Sequence, residues 1–103
     1  MLNMGELMKH AQQFQEKMAT IQEELATRTV TGTAGGGMVT ATVNGRGELV
    51  GLAIEREIVD PEDVSMLQDL VLAAVNDGLR KAKDMARGEM SKLTGGLNIP
   101  GMF

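Results

Sequence analysis

Five basic residues punctuate the last long segment of this 103-residue chain: Arg80, Lys81, Lys83, Arg87 and Lys92. At helical spacing Arg80, Lys83 and Arg87 fall within about 60° of one another, while Lys81 and Lys92 share another side. Lys9 and Lys17 add charge on an earlier helical segment. Clustered guanidinium and ammonium groups of this kind can hold phosphate or another polyanion. The same residues also fit a solvated helix face laced by Asp77–Lys81 and Arg80–Asp84 pairs, each contributing about 0.2–0.5 kcal/mol. With a net charge of −4, composition alone favours the solvated face.

Other chemistry finds little footing. His10, the one histidine, sits beside Lys9 on a polar helix face with no partner for general-base or ligand work. No His/Asp/Glu cluster has metal-ligand spacing, so neither a metal nor any other cofactor is expected. Asp60, Glu62 and Asp63 lack the glycine and distal glutamate of a calcium loop and read as helix-capping acids. The triple glycine Gly35-Gly36-Gly37 is not followed by Lys-Ser/Thr, so it reads as a turn and not a phosphate loop. Cysteine is absent, which removes disulfides, thiolate metal sites and cysteine nucleophiles together. Nothing here could act as acid, base or nucleophile on a small substrate, and an enzyme is not expected.

The elements that carry the basic residues follow from periodicity. Asn3 with Glu6 resembles a capping box. Beyond it Met4, Leu7, Ala11, Phe14, Met18, Ile21 and Leu25 recur at spacings of three and four, an a/d seam on a helix reaching about Arg28. Glu24 and Arg28 are spaced as an i,i+4 pair. The seam fits either a coiled-coil contact or one side of a helical hairpin. From Thr29 the pattern turns to β-branched residues and glycine. Thr29–Thr33, Met38–Val43 and Leu49–Glu55 read as three strands, with Val50, Leu52 and Ile54 facing one way. Asn44-Gly45 signals a hairpin turn through positive φ, with Gly47 leaving room for a bulge. Asp60 is a natural N-cap and Pro61 fits the first turn of a second helix, which runs to about Thr94 and stops at Gly95-Gly96. That helix, on the order of 50 Å long, must project beyond the sheet. Val64, Leu67, Leu70, Val71, Ala74 and Val75 should be buried, and the narrower stripe Leu79, Ala82, Ala86 and Leu93 should lie along the first helix or a partner. Residues 1–94 thus form one domain, and 95–103, which have no period, a flexible tail.

Composition bounds the whole. Hydrophobic residues make up 43%, but the aromatics are only Phe14 and Phe103. Nine methionines supply part of the missing bulk, six of them within the two helical segments, where core packing is the ordinary use. No apolar run approaches a membrane span, and the first residues lack the basic region of a signal peptide, so a cytoplasmic location without membrane contact is expected.

In sequence order, Val30-Thr31-Gly32-Thr33-Ala34-Gly35-Gly36-Gly37, Val43-Asn44-Gly45-Arg46-Gly47-Glu48 and Val59-Asp60-Pro61-Glu62-Asp63 resemble the YbaB/EbfC family of bacterial nucleoid-associated proteins. So do Met66-Leu67-Gln68-Asp69-Leu70, Ala73-Ala74-Val75-Asn76-Asp77 and Leu93-Thr94-Gly95-Gly96-Leu97. The likeness covers nearly the whole chain. It implies an α+β fold, α-β-β-β-α, with a small antiparallel three-stranded sheet packed with two long helices. It further implies a homodimer whose sheets join and whose helices project like tweezers, located in the nucleoid. Double-stranded DNA is the implied partner, bound with little sequence preference through Lys9, Lys17, Arg80, Lys81, Lys83, Arg87 and Lys92. Thr40 and Ala53 stand where the family's strands commonly carry charge, which shifts weight onto the helical bases. The sheet face left open by the long helix is expected to be buried between subunits. A rival expectation is a protein-interaction adaptor, using the helix seam and the Met-rich apolar surface without touching nucleic acid.

Overall fold

The computed structural model describes residues 3–94. In chain order it contains α1 (Met4–Thr27), β1 (Thr29–Ala34), β2 (Val39–Asn44), β3 (Leu49–Ile54), a 3-10 turn at Arg56–Ile58, and α2 (Val64–Thr94). The strands form one antiparallel sheet in the order β1-β2-β3. This is the expected α-β-β-β-α architecture. The expected tail at 95–103 lies outside the described residues.

α1 begins where Asn3 caps it, its Oδ1 accepting from the Glu6 amide at 2.8 Å. Among the described residues the helix is anchored at its far end. Every residue from Asn3 to Lys17 is exposed, Met18 and Ile21 are half-buried, and Leu25 is buried. Arg28 leaves the helix in an extended conformation, so the expected Glu24–Arg28 pair is replaced by one across to α2, Arg28 to Glu89 at 2.6 Å.

α2 lies across β1 and β2. Its backbone meets the sheet directly: a Cβ on Gly32 would sit 2.1 Å from the Gly78 amide nitrogen and 2.3 Å from the Ala74 carbonyl oxygen. Ala74, Gly78 and Ala82, four residues apart, form the buried stripe of the helix. Opposite them lie the fully buried Val39, Ala41 and Val43 of β2. The core is small and built on close backbone approach rather than bulk.

The start of α2 differs from expectation. Asp60 does not cap it. The Asp63 amide donates to the Asp60 carbonyl and the Glu62 amide to Asp60 Oδ1, closing a β-turn with Pro61 at its second position. Asp63 is the cap, its Oδ1 accepting from the Met66 amide at 3.2 Å. The helix therefore has 31 residues and is about 46 Å long.

The β2–β3 connection also corrects the sequence reading. Gly45 does not carry the positive φ expected of an Asn-Gly turn; Gly47 does, at 84°. Gly45 is needed for space, since its Cβ would lie 2.7 Å from Leu25 Cδ2, and its amide donates to the Leu25 and Arg28 carbonyls. Asn44 organises the loop from a buried position, accepting from the Arg46 and Glu48 amides and donating to the Glu48 carboxylate. A register shift falls between Thr42 and Val43, so Leu49, Leu52 and Ile54, rather than Val50, Leu52 and Ile54, pair with buried Val43, Ala41 and Val39. Paired residues share a face, so these three side chains lie on the α2 side of the sheet. α2 does not reach them, and they remain 47%, 46% and 37% exposed.

Candidate nucleic-acid interface

The second half of α2 runs past the sheet and lies beside the C-terminal half of α1. All seven basic positions singled out in the sequence are exposed, but they are not equivalent. Arg80 and Lys81 converge on one carboxylate, that of Asp77: Arg80 reaches Oδ1 at 2.6 Å and Lys81 reaches Oδ2 at 3.2 Å. The expected Arg80–Asp84 pair gives way to this one, three residues back. Asp77 Oδ2 also accepts from the Thr33 amide at 3.0 Å, and Lys81 Nζ donates to the Thr31 carbonyl at 3.1 Å. These two side chains satisfy the outer backbone edge of β1, which would otherwise offer unpaired groups to another strand. Lys81 is thus engaged in holding the helix to the sheet.

Electrostatics agree with this geometry. The Thr33 amide, then the Lys81 ammonium, hold the Asp77 carboxyl below the usual aspartate range, with the charges of Lys81 and Arg80 adding to the effect. Glu89 is lowered in the same way, first by Arg28 and then by Lys92, whose Nζ lies 3.3 Å from Oε1. The Asp77–Lys81 pair follows from helical spacing and is present, but the contacts of Asp77 with Thr33 and of Glu89 with Arg28 are not legible in the sequence, because those partners on β1 and α1 are distant along the chain.

Lys83 and Arg87 stand apart. They share a helix face, four residues apart, and neither has an ion-pair or hydrogen-bond partner among the described residues. Lys17 and Lys92 meet across the groove between the two helices, where Glu24 and Glu89 also line the walls. Lys9 lies two turns further out on α1, away from the α2 bases. The arrangement presents cationic groups without partners among the described residues on a projecting rod.

Apolar surface is concentrated elsewhere. Leu67, Val71, Leu72 and Val75 line an open groove of about 440 Å³ on α2. Val64, expected to be buried, is 52% exposed, and Leu72 is 61% exposed. Together with Leu49, Leu52 and Ile54 these side chains leave a broad uncovered patch on the α2 side of the sheet. The opposite face of β1 and β2 instead carries Thr29, Thr31, Thr33, Thr40 and Thr42.

No helix among the described residues is long and apolar enough to cross a membrane. In fold, the chain is similar to the crystal structure of an uncharacterised Helicobacter pylori protein, with a TM-score of 0.82 and 25% identity, over 92% of this chain and all of that one. Among curated proteins it is 58% identical to a nucleoid-associated protein of Syntrophobacter fumaroxidans, over 92% of this chain and 86% of the relative. It is 55% identical to a nucleoid-associated protein of Pelotomaculum thermopropionicum, over 98% and 96% of the two chains. Residues 1–97 match the model of one family throughout, and the chain belongs to the YbaB/EbfC DNA-binding family.

Proposed function

We propose that this protein is a homodimeric, non-enzymatic component of the bacterial nucleoid that binds double-stranded DNA with little sequence preference. Lys83 and Arg87 contact phosphates from the exposed face of α2, supported by Arg80 and Lys92 and, across the groove, by Lys17. Lys9 extends the contact along α1, and Lys81 contributes field more than direct contact because it is bonded to β1. The observation that carries this reading is the pair of unpartnered cations on a helix that outruns its sheet, in a chain of a DNA-binding family. Released counterions drive such an association, and the absence of a polar cluster suited to base edges leaves sequence weakly read.

Dimerisation follows from the apolar patch. Leu49, Leu52 and Ile54 on the α2 side of β3, and Leu72 on α2 itself, are 37–61% exposed, and large apolar side chains left open beside an unpaired strand edge mark an interface. The patch lies on the α2 side, so the subunits meet there and not through the threonine face. Light scattering at micromolar concentration should give twice the monomer mass; a monomer would remove the dimer from the proposal.

Binding is tested by fluorescence anisotropy of a labelled duplex of about 30 base pairs at several salt concentrations. If Lys83 and Arg87 of both subunits each neutralise one phosphate, raising salt from about 50 to 200 mM weakens binding on the order of a hundredfold. Reversing charge at Arg80, Lys83 and Arg87 together should abolish most of the affinity. Unchanged affinity in a folded dimer would sink the assigned site. The exposed seam of α1 favours one rival, a protein adaptor, which would retain protein partners after nuclease treatment and show no anisotropy change even at low salt.

A further inference from the structure

The sheet has two outer strands, and their outer edges are not alike. On β1 the Thr31 carbonyl accepts from Lys81 Nζ at 3.1 Å, and the Thr33 amide donates to Asp77 Oδ2 at 3.0 Å. In an antiparallel pair the amide and carbonyl of one residue point to the same side, and alternate residues share it. Thr29, Thr31 and Thr33 therefore turn their peptide groups away from β2, toward any strand that might be added. Among the described residues no side chain bonds to the backbone of β3 in this way.

Asp77 and Lys81 reach this edge because of how α2 is seated. The helix backbone touches β1 at Gly32, where a Cβ would lie 2.1 Å from the Gly78 nitrogen. Even the short aspartate side chain therefore spans the gap to Thr33. The two residues stand one turn apart on the same flank of the helix, and Lys81 Nζ lies 3.2 Å from Asp77 Oδ2. The pair thus offers a donor to Thr31 and an acceptor to Thr33, joined to each other. One residue of a parallel strand would present the same set, its amide to Thr31 and its carbonyl to Thr33. An antiparallel strand fares no better, because it must exchange both bonds with Thr31 or with Thr33. One of the two groups is already taken at each.

We propose that the Asp77–Lys81 pair closes the β1 edge by standing in for a strand, and so keeps a second copy of the chain from adding there. The consequence is finite assembly. A sheet open at both edges can accept a copy on each and grow without end, whereas one closed at β1 can pair only through β3 and then stops. Lys81 is a member of the basic stripe by sequence and a closing residue of the sheet by contact. The inference depends neither on DNA binding nor on how subunits meet elsewhere, because it concerns an edge that stays unused.

Light scattering of the full chain, from low micromolar to near-millimolar concentration, tests this against two variants. Asp77→Ala/Lys81→Ala opens the edge. Adding Thr31→Pro to it removes an outward amide without breaking a bond to β2, at an edge position where proline is tolerated. The parent is expected to hold one mass throughout. The double variant, with its circular dichroism retained, should climb severalfold in mass as concentration rises, and the triple variant should return to the parent mass. Constant mass in a folded double variant would overturn the proposal. Growth that persists in the triple variant would also overturn it, since the added copies would not be meeting β1. Should the double variant lose its fold, Lys81→Met decides: it keeps Asp77 on Thr33 and frees only the Thr31 carbonyl. Its mass should rise about twofold at the highest concentration, and the parent mass there would overturn the proposal.

Discussion

Replacing Gly32 with alanine should strike the contact that sets the angle of α2 on the sheet. A methyl group there meets only backbone, the Gly78 nitrogen at 2.1 Å, the Ala74 oxygen at 2.3 Å and the Gly78 Cα at 2.7 Å. No side-chain rotation can relieve that, so the helix must lift by on the order of 1 Å to restore ordinary contact distances. Overpacking of this kind costs about 1–3 kcal/mol, and an unyielding backbone neighbour places the cost at the upper end. The gain of about 0.5–1 kcal/mol that alanine normally brings over glycine in a strand is too small to offset it. For a domain of this size, roughly 2 kcal/mol lowers Tm by about 8–16 °C, read by circular dichroism at fixed protein concentration because the Tm of the proposed dimer would depend on it. Gly88→Ala is the internal control. Nothing lies within 4 Å of its would-be Cβ, and the helix interior should gain about 1 kcal/mol. A Gly32→Ala protein as stable as the parent would refute the backbone-contact account of how α2 is seated.

Acid should weaken the fold through Asp77 and Glu89. Both carboxyls are held below their ordinary values, so their contribution is complete above about pH 4–5 and is lost as pH falls through the lowered folded values. Urea melts across that range should show a shallower loss for the Asp77→Asn/Glu89→Gln double variant; an identical loss would remove these two acids from the explanation. Asp77→Asn alone should tighten DNA binding a few-fold and steepen the salt slope by roughly two, one for each subunit of the proposed dimer, since it deletes a negative charge and releases Arg80 while its amide oxygen can still accept from Thr33. Weaker binding by that variant, with the fold intact, would show that Asp77 positions Arg80 for DNA instead of competing with it.

Local signals in the chain were enough for the elements, and tertiary partners account for what they missed. The Asn3 cap, the three short strands and the long final helix each follow from a few neighbouring residues. Asp60 was misassigned because Asp-Pro opens a β-turn as readily as a helix, and only the bond from the Met66 amide to Asp63 separates the two. Gly45 looked like a turn residue, yet its constraint comes from Leu25, twenty positions earlier. Arg28 sought Glu89 on α2, not Glu24, because the helix had already ended. The basic positions were legible as a stripe on α2. Their sorting into engaged and free was not, since it depends on Thr31 and Thr33 of β1 lying against the same turn of helix.

The sign of the whole chain is a poor guide to its partner because its charges are separated along a rod. Around the sheet's β3 edge and the turn before α2 lie Glu48, Glu55, Glu57, Asp60, Glu62 and Asp63, against Arg46 and Arg56. On the far part of α2 lie Arg80, Lys81, Lys83, Arg87 and Lys92, against Asp84 and Glu89. From Asp63 to Arg87 the helix rises about 36 Å, more than four times the Debye length of about 8 Å at physiological salt. A phosphate beside Arg87 is therefore screened from the acidic end and responds to its immediate neighbours. Those neighbours are Lys83, which like Arg87 has no partner among the described residues, the carboxylate of Asp84, and that of Glu89, already held by Arg28 and Lys92. The acidic end keeps a different role. It stands on the part of the molecule that carries the exposed β3 strand, and under the proposed function it would repel DNA there and confine contact to the projecting helices.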